Sequence, residues 1–175
     1  MRSLQKFTLA FVLYLMLALD ASLSLVLHQF LALAGGINLL LPISVMLIAL
    51  FDDMNQKEIW LALGAGIVSD FYFFGVLGLY TVALPGICWL LQRSARFLPE
   101  VFWARIVAVL LAVVALCIYS WLVLNITGLA RVPLLELLVS LGSTLVWSFG
   151  FATLTYKMWA WLATSYPFMV KRSNY

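Results

Sequence analysis

Long apolar runs separated by short polar punctuation dominate this chain. A helix needs roughly 20 apolar residues to cross the hydrocarbon core of a bilayer, with a range of about 17–25. Phe7 to Leu27 is the first run of that kind, interrupted by Asp20, with Ser22 and Ser24 nearby. A short stretch ending at Gly35-Gly36 breaks any continuing helix. Ile37 to Phe51 is a second, shorter run containing Pro42, closed by the polar turn Asp52 to Glu58. Val101 to Leu124 and Pro133 to Tyr156 are longer runs, and a tail follows from Lys157.

Ile59 to Leu91 is too long for one ordinary span and slightly short for two. Gly75-Val76-Leu77-Gly78 in its middle offers a tight turn, which predicts two short helices, 59–74 and 79–91. Charge placement selects this hairpin. With six spans and the N-terminus inside, Arg2, Lys6, Lys57, Arg93, Arg96, Arg105, Lys157, Lys171 and Arg172 share the cytoplasmic side, and only Arg131 lies outside. A single span would flip every later segment and leave four basic residues inside against six outside. Basic residues favour cytoplasmic flanks, so the pattern predicts an all-α, polytopic membrane bundle of six transmembrane helices with both termini in the cytoplasm. The spans run over 7–27, 37–51, 59–74, 79–91, 101–124 and 133–156.

Composition agrees. Of 175 residues 66% are hydrophobic and 10% charged, with mean hydropathy +1.11. Soluble domains carry about 25% charged residues, so lipid is the fitting solvent. The net charge of +3 forms no patch for nucleic acid, and the length leaves no room for a further soluble module. Trp60, Trp89, Trp103, Trp159 and Trp161 fall near the expected inner boundaries, where indoles prefer the headgroup layer. Arg2 and Lys6 before an apolar stretch resemble a signal peptide. Asp20 and the lack of a small-residue cleavage site favour an uncleaved first span.

Candidate chemistry is sparse. Cys88 and Cys117 lie inside apolar runs and read as small core residues. No metal-ligand spacing or nucleophile elbow is present, so neither enzymatic activity nor a cofactor is expected. Asp52-Asp53 reads as a solvated turn, and Asn125-Ile126-Thr127 is a short sequon match close to the membrane. Ionisable groups within spans are costly, about 2.5–3.5 kcal/mol at mid-membrane, and Asp20 and Asp70 qualify. Counted along the helices, both sit in the outer half, with Glu136, His28 and Arg131 near them or above. These five suggest an outer polar pocket or partner contact. The alternative is that each acid is protonated or hydrogen-bonded inside the bundle and fixes helix packing, with Glu136 and Arg131 forming an interfacial ion pair. Ala62 with Gly66, and Ala65 with Ser69, form small faces for close helix packing. Gly75 and Gly78 suit turn angles that larger residues resist, and Pro42 and Pro85 are expected to kink or shorten their helices.

The stretch from Leu41 to Gln92 resembles MreD, the membrane subunit of the bacterial rod-shape machinery. The likeness rests on Pro42 opening a short span, the polar turn at 52–58, Gly66-Ile67-Val68-Ser69-Asp70, and Gly75-Val76-Leu77-Gly78-Leu79-Tyr80. It covers about a third of the chain in detail. The resemblance implies a non-enzymatic scaffold in the cell membrane that binds MreC, a bitopic membrane protein, and helps direct peptidoglycan synthesis during elongation. The wider assembly would include a RodA-type polymerase, a transpeptidase and the actin-like MreB, with membrane lipids as the medium. It also implies a fold like the substrate-binding subunits of energy-coupling-factor transporters. That makes a small-molecule carrier the competing reading.

Overall fold

The computed structural model describes residues 8–30, 39–51, 57–75, 77–97, 99, 101–128 and 133–165, with the side chains of 24–30, 74 and 164 excepted. The apolar runs become six helices among these residues: α1 (Thr8–Phe30), α2 (Leu40–Phe51), α3 (Glu58–Ser69), α4 (Tyr80–Ala95), α5 (Phe102–Thr127) and α6 (Leu134–Ser165). A five-residue π-helical turn, Asp70–Phe74, continues α3. No strand occurs among the described residues. On length and composition alone, α5 and the Leu134–Ala163 part of α6 are sufficient to cross a membrane, whereas α2 and Thr8–Leu23 are shorter apolar helices.

The short α2 is the centre of the bundle. Every residue from Leu40 to Leu50 is buried, because α1, α3, α4, α5 and α6 all pack against it. A helix with no lipid contact does not have to match the bilayer thickness, so twelve residues, about 18 Å, suffice. The other helices each bury one stripe. On α1 the buried positions are Leu9, Leu13, Met16, Leu17 and Asp20, the spacing of a helical face. Their opposite faces expose large apolar side chains, among them Phe11, Val82, Leu111, Val146 and Leu154. Water would penalise such a surface, and lipid does not.

The region 59–91 doubles back. Gly66 of α3 lies against Tyr80 and Thr81 at the start of α4, and α3 packs extensively against α4 across the short turn that joins them. The two helices are therefore antiparallel. The reversal uses Gly75 at φ 65° and Gly78 at φ 124°, as the turn glycines predict. A residue with a Cβ is strained at either angle, most at Gly78, at a cost of about 1–3 kcal/mol. Gly78→Ala should lower the melting temperature in detergent relative to wild type, although its Cβ meets nothing within 4 Å. An unchanged melting curve would show that the turn relaxes freely.

Pro42 is the third residue of α2, in the first turn, where its missing N–H is no loss. Pro85 lies inside α4, which continues to Ala95. Two expectations need correction. The helix α6 does not end at Tyr156 but runs on to Ser165. That extension carries Trp159 into the core, fully buried beside Leu162 and Ala163, rather than into a headgroup layer. Its Nε1 finds no hydrogen-bond partner among the described residues. The other four tryptophans named above are exposed. Both cysteines are free and buried, as expected of small core residues.

Candidate functional site: carboxylates at the helix starts

A helix N-terminus leaves its first N–H groups without intrahelical acceptors and carries a partial positive charge. Inside an apolar bundle water cannot supply the acceptors, so side chains must. At the start of α4 the acceptor is Asp70. Its Oδ1 accepts from the Tyr80 N–H at 2.7 Å. Its Oδ2 accepts from the N–H groups of Gly78 at 2.8 Å and Thr81 at 3.0 Å, and from the Thr81 hydroxyl at 2.7 Å. The carboxylate thus caps the helix that follows the turn, from the last turn of the helix before it. The π turn helps to place it: the Gly75 N–H reaches back to the Asp70 carbonyl at 2.8 Å. The widened turn also directs Phe71, Tyr72 and Phe73 outward. From α5, the Tyr119 hydroxyl donates to the Gly78 carbonyl at 3.3 Å and ties the turn to the bundle.

Asp20 does the same for α2, less tightly. Its Oδ2 accepts a long bond from the Leu41 N–H at 3.4 Å, and the Leu40 N–H also faces it. Pro42 has no N–H to satisfy. The Asp20 Oδ1 has no partner among the described residues. Ser22 turns away and donates to the Ala18 carbonyl at 2.8 Å. The Tyr80 side chain is buried within electrostatic reach of both Asp20 and Asp70, so the starts of α2 and α4 lie on the same side of the bundle. Glu136 occupies the first turn of α6 and is exposed. Three acids thus stand at three helix starts.

Asp20 and Asp70 are 1% and 0% exposed, and the Asp70 carboxylate is filled by its own chain. The side chain of His28 and the whole of Arg131 lie outside the described residues, as do Asp52 and Asp53. Asn125 and Thr127 of the sequon bond back to helix carbonyls, at Trp121 and Val123. No group of three or more His, Cys, Asp or Glu side chains could hold a metal among the described residues. Gly66, expected to pack closely, is the tightest point of the hairpin. An ideal Cβ there would lie 2.5 Å from the Tyr80 carbonyl oxygen and 2.8 Å from the Thr81 Cα. Ala62 and Ser69 complete that buried stripe.

The opposite end of the bundle is aromatic and basic. Tyr156 of α6 meets Phe51 of α2 and Phe102 of α5 edge-on, at centroid distances of 5.0 and 4.7 Å. The Arg105 guanidinium lies 4.8 Å from the centre of the Phe51 ring. Cation–π contact of this kind holds a charge at the edge of an apolar region.

A helical bundle with an apolar exterior, capped helix starts on one side and basic residues on the other has the character of a membrane protein. The chain belongs to the MreD family: the family model for the rod shape-determining protein MreD matches residues 5–166. No curated protein and no solved structure matches the chain. Membership makes it a membrane protein of rod-shape determination.

Proposed function

We propose that this chain is a non-enzymatic scaffold subunit of the bacterial cell-elongation machinery, crossing the cell membrane six times with both ends in the cytoplasm. It binds an MreC-like bitopic protein and so helps position peptidoglycan synthesis. A RodA-type polymerase, a transpeptidase and MreB are its wider partners. The family match over residues 5–166 carries this reading. The distribution of basic residues supports the topology.

A chain with short loops must bind such a partner mainly through helix faces within the bilayer. The outward face of α6 is suited to that. Gly142, Val146 and Gly150 are exposed at one-turn intervals, and a Cβ added at either glycine would meet nothing within 4 Å. Lipid is indifferent to such notches, whereas a second helix can approach closely there. The alternative is a small-molecule carrier; the groove between α4 and α5, lined by apolar side chains and Ser94, offers no polar set for a solute at that place.

Co-purification of the MreC-like partner with Gly142→Leu/Gly150→Leu tests the reading. The double variant should lose most of the bound partner while keeping its own membrane level, and Leu15→Ala on the exposed face of α1 should not. Full retention by the glycine variant would remove α6 as the docking face. Absence of any MreC-like protein from the wild-type preparation would remove the scaffold reading itself.

A further inference from the structure

Both helices of the hairpin present a face to the outside of the bundle, and both are short. Trp60, Gly64, Val68 and Phe71 stand exposed along α3 and its π turn, and Val82, Gly86, Trp89 and Arg93 along α4. Each set keeps helical spacing, so each is one outward stripe. From Glu58 to Phe74 the first stripe's helix rises about 25 Å, and from Tyr80 to Arg93 the second rises about 20 Å. The hydrocarbon core of a bilayer is roughly 30 Å thick. The central α2 is exempt because it is buried, but α3 and α4 are not. The other helices have length to spare: α1, α5 and α6 rise about 34, 39 and 48 Å.

Both ends of the short face are marked. Trp60 and Trp89 lie toward the polar ends of the hairpin and Tyr72 toward its turn, all three exposed. Such rings settle at the two membrane–water interfaces, yet Trp60 and Tyr72 are only about 18 Å apart along the helix. Arg93 marks the same inner level as Trp89. Its guanidinium lies 5.7 Å from the centre of the Trp89 ring, one turn nearer the middle of the bilayer. The side chain therefore turns back over α4 and does not snorkel outward. At the other end, the exposed non-helical backbone at Gly75 and Leu77 cannot rest in hydrocarbon.

A span shorter than the bilayer thins it, snorkels its flanking residues or associates with a second chain, and gains nothing by tilting. We infer that the hairpin thins the bilayer beside it by about 5–10 Å and gathers short-chain phospholipid along α3 and α4. Lipid beside α5 and α6 meets full-length helices and is not selected in this way. The inference rests on the proposed crossing of the membrane by both hairpin helices.

Photocapture in bilayers of equimolar dimyristoleoyl- and dierucoyl-phosphatidylcholine, with the purified full chain reconstituted, tests this. A photoreactive residue replaces either Val68, at mid-height of the hairpin, or Leu111 on the exposed face of α5. Capture at 68 should favour the short lipid several-fold relative to capture at 111. Arg93→Leu lengthens the apolar stripe by a turn and should reduce that preference; its melting curve checks that it folds. Equal lipid ratios at the two positions would overturn the inference, as would an undiminished preference in Arg93→Leu. So would capture of a second copy of the chain at 68, because association would then cover the short face. Labelling the hairpin ends from each side of the membrane tests the crossing itself, so equal capture with correct labelling refutes the thinning alone. No partner is present in these bilayers, and the scaffold reading stands whatever the lipids do.

Discussion

Asp70→Ala is expected to be the most damaging single substitution in this protein. It strands the N–H groups of Gly78, Tyr80 and Thr81 and the Thr81 hydroxyl, all of which now end on one carboxylate. A buried donor left unsatisfied costs about 1–3 kcal/mol, and bonds to a charged acceptor are at the strong end. Four such losses amount to several kcal/mol, against a total stability of roughly 5–15 kcal/mol for a typical domain. The variant should accumulate poorly in membranes and melt far below wild type in detergent. Asp70→Asn retains one carbonyl acceptor and places an NH2 donor against other donors, so it should fall between the two. Glu136→Ala, at an exposed first turn, should change the melting temperature little. A wild-type melting curve for Asp70→Ala would mean that the start of α4 has another acceptor.

The second large effect is expected at Gly66. Alanine there places a methyl group 2.5 Å from a backbone oxygen and 2.8 Å from a backbone carbon, and neither can rotate away as a side chain can. The helices α3 and α4 must separate, at about 1–3 kcal/mol for the added carbon and more for Gly66→Leu. Separation would also lengthen the Asp70 bonds, which now span 2.7–3.0 Å. The two sites share partners, so the double variant Gly66→Ala/Asp70→Ala should cost less than the sum of the singles. Gly64 provides the contrast. It lies in the same helix with nothing within 4 Å of an added Cβ, and Gly64→Ala should be neutral or slightly stabilising, because alanine is the better helix former. Thermal unfolding of the three variants in one detergent separates close approach from helix propensity. Equal behaviour of the alanine variants at 64 and 66 would refute the close crossing.

Much of this was legible in the sequence. The glycines at 75 and 78, the excess length of 59–91 and the placement of basic residues together predict the hairpin, and the structure has it. Of the small pairs Ala62–Gly66 and Ala65–Ser69, Gly66 lies directly against the start of α4, Ala62 and Ser69 are buried, and Ala65 is half-buried. The acids were found by their cost in an apolar span, but their task was not readable from the residues alone. Asp20 acts on a helix whose start lies about twenty residues away, across a stretch without a capping signature. Asp70 offered a clearer clue, since an acid a few residues before a glycine turn can reach the next helix start. Trp159 misled because tryptophan near a basic residue suits an interface as well as a core. Only the helical phase it shares with Ser148, Ala152 and Ala163, once α6 continues past Lys157, distinguishes the two.

The proposed topology requires the turn at Leu77 to face away from the two polar ends of its hairpin. Single cysteines at Lys57, Leu77 and Phe97, each exposed, can be labelled in intact cells with a membrane-impermeant maleimide after Cys88 and Cys117 are replaced by alanine. Reaction at 77 alone, with 57 and 97 reacting only after the membrane is opened, is the expected result. Labelling of 57 and 97 from opposite sides would contradict the hairpin, and with it the capped turn and the outer placement of the acids.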